Sequence, residues 1–61
     1  MILRTLRELR VTDAGRKFYK AKFRFCETRL QLPPAKAREW ALITMNCLAE
    51  DRENVPDFFQ K

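Results

Sequence analysis

The sequence predicts an α+β fold, an N-terminal antiparallel β-hairpin or three-stranded sheet packed on one C-terminal helix. Three observations carry that expectation. Apolar and basic residues alternate with a period of two over 19–25, an Asp-Ala-Gly turn stands just before them, and a proline-initiated helical pattern follows from residue 34. With 61 residues the chain is one small domain, read as 2–32 sheet region, 34–51 helix and 52–61 tail. A chain of this size buries only about 60% of its unfolded surface, so the core is small.

In the second strand Tyr19, Ala21, Phe23 and Phe25 alternate with Lys20, Lys22 and Arg24. This is the pattern of a half-buried strand rich in aromatics. Asp13 opens and Gly15 closes a three-residue hairpin loop, with Gly15 expected in the left-handed conformation. That register pairs Leu9 with Tyr19, Thr5 with Phe23 and Leu3 with Phe25. Glu8 then lies across from Lys20, and the apolar and basic chemistries go to opposite faces. The competing reading makes Ile2, Leu3, Leu6 and Leu9 a helical stripe and the whole chain an all-α helical hairpin that dimerises. As a helix, the 16–25 stretch would carry two apolar stripes separated by cations, awkward for a small monomer.

Thr28, Leu30 and Leu32 form a weaker third strand, ended by Pro33 and Pro34. Pro34 opens the helix, where Ala37, Trp40, Ala41, Thr44 and Leu48 follow helical spacing and Ile43 and Cys47 widen the stripe. Trp40 is expected at the centre of the core, over Tyr19, Phe23 and Phe25. Pro56 prevents the helix from resuming. At least one of Phe58 and Phe59 is expected to fold back, since burying a Phe is worth roughly 1.5–3 kcal/mol.

Charge points to a partner. Residues 1–29 hold nine basic and three acidic side chains, whereas 30–61 hold four and five. A basic N-terminal half is the footprint expected for nucleic acid. On the strand reading Arg16, Lys20, Lys22 and Arg24 project from one face, supported by Arg4 and Arg10 from the neighbouring strand. A β-ribbon of this kind fits the DNA major groove, so DNA is favoured over RNA. The competing view is a solvated outer sheet face. The alternative function is a protein-interaction adaptor or inhibitor using an apolar patch of Leu42, Ala49, Phe58 and Phe59, which also serve as candidate dimer contacts.

The chain contains neither His nor Ser. No Ser-His or Cys-His pair and no His-ligated metal can therefore be assembled within it, so an enzyme, a cofactor, a metal and a small-molecule substrate are not expected. Glu50, Asp51, Glu53 and Asp57 read as a solvated acidic helix end. Cys26 and Cys47 read as two reduced, buried thiols of a cytoplasmic protein, with no membrane-length apolar run.

The stretch Gly15, Arg16, Lys17, Phe18, Tyr19, Lys20, Ala21, Lys22 and Phe23, followed by Ala35, Lys36, Ala37, Arg38, Glu39, Trp40 and Ala41, resembles the arm-type DNA-binding domains of phage and transposon integrases. The resemblance covers roughly residues 6–50. It implies a three-stranded sheet backed by one helix, with the outer sheet face in the major groove. The second turn lacks the glycine of that pattern, and no recombinase catalytic domain accompanies it.

Overall fold

A computed structural model describes residues 2–51 and 53–59. Positions 52, 60 and 61 of the expected tail region lie outside the described residues. The architecture is an α-helical hairpin, α1 (Asp13–Thr28) and α2 (Pro34–Glu50), closed by a short 3-10 turn at Asp57–Phe59. No strand occurs among the described residues. The α+β expectation is therefore overturned, and with it the three-stranded sheet implied by the integrase resemblance. The competing helical hairpin is the fold observed.

The N-terminal segment, expected as the first strand, instead forms a capped helical turn. Thr5 and Glu8 make a reciprocal capping box: the Glu8 N–H donates to Thr5 Oγ1 at 3.2 Å, and the Thr5 N–H donates to Glu8 Oε1 at 3.2 Å. Glu8 is thus committed to Thr5 and does not face Lys20 across a ladder. Arg10, with φ of 58°, ends the turn. Its N–H donates to the Arg7 carbonyl and the Val11 N–H to the Leu6 carbonyl, the paired bonds of a Schellman motif.

Gly15 is not a turn residue. It sits in the first turn of α1, buried, and has no positive φ. A Cβ there would overlap Val11 Cγ1 and come within 2.9 Å of the Phe58 ring. The only glycine in the chain is therefore used for close approach. The left-handed positions fall to Arg10 and Gln31, the latter at φ 53° in the hairpin loop. There the Leu32 N–H closes the loop onto the Cys26 carbonyl at 3.1 Å.

The α1–α2 core is built from small side chains. Ala37, Ala41 and Met45 are fully buried on α2, with Cys26 on α1. Their positions at 37, 41 and 45 follow the four-residue step of one helix face. Trp40 stands about 100° around the helix from Ala41, off this buried line. Trp40, expected at the core's centre, is instead 53% exposed, and Phe25 is 49% exposed. Tyr19 and Phe23 are half-buried.

The two apolar stripes of α1 are each covered in part, with Phe25 left exposed. One side faces α2, while Phe18 stacks on Phe58 of the tail with centroids 5.4 Å apart. The Thr12 N–H, at the N-cap of α1, donates to the Phe58 carbonyl at 2.7 Å. Phe59 lies against Phe58 at 4.8 Å. The expected return of the tail is observed, and it gives the second stripe of α1 a partner within the same chain.

Candidate nucleic-acid interface

Folding residues 13–28 as a helix redistributes the basic residues. At about 100° per residue, Arg16, Lys20 and Arg24 lie on one stripe with four-residue spacing, and Lys17 lies beside them. All four are exposed. Asp13, Arg16, Lys17 and Lys20 line a single shallow depression at the N-terminal end of this face. None of the side-chain hydrogen bonds among the described residues involves these four charged heads. Asp13 and Glu27 bracket the face at its two ends, and Ala21 lies beyond its edge, toward Phe18.

Lys22 does not belong to this face. It lies about half a helical turn away from both Lys20 and Arg24, and it is half-buried. Its Nζ sits 5.6 Å from the Phe18 ring centroid and 5.8 Å from that of Phe25. The aliphatic stem therefore runs along the aromatic flank, and the ammonium is held by cation–π attraction. A strand pattern places Lys20, Lys22 and Arg24 together, whereas a helix sends the middle one to the far side.

Arg4 and Arg10 are exposed in the N-terminal segment, as is Arg7. The Arg4 backbone is held by the buried Asn46 of α2. Asn46 Oδ1 accepts the Arg4 N–H at 2.9 Å, and its Nδ2 donates to the Arg4 carbonyl at 3.0 Å and to the Leu42 carbonyl at 2.9 Å. Asn46 thus fixes where the N-terminal cations leave the body of the protein. Asn46 lies outside the apolar stripe of the 34–51 helix, and no periodicity in the sequence marks its pairing partner forty-two residues away.

Lys17 is the cation that sequence reasoning missed. The strand register sends it to the apolar side, but its spacing to Lys20 and Arg24, three and seven residues on, would have included it on a helical wheel.

No family model, curated protein or solved structure matches the chain. Among the described residues no helix is long and apolar enough to cross a membrane.

The apolar contact residues expected for an adaptor do not make one free patch. Phe58 and Phe59 are half-buried in the tail, with Phe58 on α1. Leu42 and Ala49 are half-buried on the Asn46 side of α2, where Ala49 lines a groove with Arg4 and Leu9. The exposed large apolar side chains are instead Ile2, Phe25, Leu30 and Trp40. Cys26 is buried, but Cys47 is an exposed free thiol, which corrects the expectation of two buried ones.

Proposed function

We propose that the chain is a small, non-catalytic DNA-binding module of the cytoplasm whose contact surface is the outer face of α1. The observation that carries the reading is the convergence of Arg16, Lys17, Lys20 and Arg24, all exposed, on one side of a 16-residue helix. A helix about 10–12 Å across fits a major groove about 12 Å wide. The deep, narrow major groove of A-form RNA does not admit one, which favours duplex DNA. Arg4, Arg7 and Arg10, in a segment anchored through Asn46, extend the positive field toward the flanking phosphates.

This reading keeps the expected partner and changes the device that grips it. A rigid helix replaces a β-ribbon, and Lys17 replaces Lys22. Two free thiols, one of them exposed, suit the reducing cytoplasm.

The test is fluorescence anisotropy with a labelled random-sequence duplex at 50 and 200 mM salt. Four phosphate contacts predict a loss of affinity on the order of a hundredfold across that range, through counterion release. Binding that is absent at the lower salt, or that does not change with salt, would overturn the reading.

A further inference from the structure

The outer face of α2 carries an ordered pattern of charge, with Lys36 and Glu39 near its start and Glu50 at its end, where Glu50 shares a groove with Arg4. Lys36, Ile43 and Glu50 stand seven residues apart and fall within about 40° of one line along the helix. That line is about 160° from the buried Ala41 and so points away from α1. Trp40, 53% exposed, and Cys47, also exposed, flank Ile43 on one side.

The termini of α2 make this pattern unusual. A helix favours acidic groups in its first turn and basic groups in its last, and α2 has neither. It places Lys36 near its N-terminus and Glu50 at its C-terminus, the reverse of what its own dipole favours. An antiparallel copy of the same helix supplies the opposite charge at both ends.

We propose that this face binds a second copy of the chain, α2 against α2 in antiparallel fashion, with Ile43 at the two-fold axis. Residues equally far from the axis then meet, so Lys36 faces the partner subunit's Glu50 and Glu50 faces the partner subunit's Lys36. Trp40 lies at the edge of this contact, beside Ile43. The surface is self-complementary, as an isologous contact must be. Seventeen residues of helix span only about 25 Å, less contact than the roughly 800 Å² per subunit of a standard interface. The dimer is therefore weak, with a dissociation constant on the order of 100 μM. The contact uses α2 alone and does not depend on what α1 binds.

Sedimentation equilibrium of the full chain between about 10 μM and 1 mM tests it, a window that brackets the expected constant. The mass is expected to rise from the 7.3 kDa monomer toward twice that value. Lys36→Glu sets like charges opposite each other at both ends and should weaken the dimer about tenfold. Adding Glu50→Lys to it restores opposite charges and should return the constant to within about threefold of the parent. Ile43→Lys, at a half-buried site, should give a monomer with unchanged helical circular dichroism. If that variant unfolds, the charge-swap pair decides alone. A parent chain that stays monomeric throughout, or a dimer indifferent to Lys36→Glu, would overturn the proposal.

Discussion

Asn46 grips Arg4 by both of its backbone polar groups, although forty-two residues separate them. The side chain amide acts as a stand-in for a neighbouring peptide, so the N-terminal segment is tied to α2 without a strand. Asn46 is 5% exposed, and the same Nδ2 also satisfies the Leu42 carbonyl. A buried amide earns its place only when its donors and acceptor are matched, and here they are.

Replacing this amide should release the segment. Asn46→Ala is expected to cost about 2 kcal/mol, from the lost bonds and the void left behind. Asn46→Asp keeps an acceptor for the Arg4 N–H but cannot donate to either carbonyl, so it should be no better. Urea unfolding gives the magnitude. Loss of hydrogen-exchange protection at the Arg4 amide would show that the segment has lifted. Retained protection there would mean that other contacts hold it.

Gly15 tests the tail. In a helix interior Gly→Ala ordinarily gains about 1 kcal/mol of propensity. Here a Cβ meets Val11 and Phe58, so Gly15→Ala should instead lower stability by about 1–3 kcal/mol. The penalty should shrink in a Val11→Ala background, where the nearest obstruction is gone. A stabilised Gly15→Ala variant would show that the tail does not pack as described.

Removing the tail after Val55 exposes Phe18 and frees the Thr12 N–H from the Phe58 carbonyl. A loss of roughly 2 kcal/mol is expected, close to the burial value of one aromatic side chain. The melting temperature should fall accordingly. An unchanged value would mean that α1 tolerates an open second stripe.

Arg10 separates stability from binding. Its left-handed backbone costs a non-glycine residue about 1 kcal/mol, so Arg10→Gly should stabilise the fold by up to that amount. The same change removes a cation and should weaken DNA binding modestly. Arg10→Ala should weaken binding equally without the gain in stability. Opposite signs in the melting curve and the titration of one variant would be the expected signature.

How much of this was legible depends on the element. The helix beginning at Pro34 could be read because proline at a first helical position and an alanine-rich run leave few alternatives. α1 was obscured by coincidence: aromatics at 19, 23 and 25 with cations at 20, 22 and 24 satisfy a period of two as neatly as a strand would. What decided for helix lies outside that window. Phe58 covers Phe18 and α2 packs along α1, so each apolar stripe gains a partner, although Phe25 stays exposed. The spacing of Thr5 and Glu8 was a readable capping signal in the segment taken for the first strand. Trp40 shares a broad helical stripe with Ala37 and Ala41, but the buried line runs through Ala37, Ala41 and Met45 and leaves the indole at its edge. The basic face was found in part: Arg16, Lys20 and Arg24 share a side in either periodicity, but Lys17 and Lys22 exchange places.

That exchange supplies the most direct test of the α1 face. The measurement is the salt slope of duplex binding for the parent, for Lys22→Gln, and for the triple variant Arg16→Gln, Lys20→Gln, Arg24→Gln. Each phosphate contact contributes about 0.9 to the slope of log affinity against log salt. The triple variant should therefore lose about 2.7 of it, while Lys22→Gln, whose ammonium lies over Phe18 and Phe25, should keep the parent value. A slope reduced by Lys22→Gln and untouched by the triple variant would contradict the account.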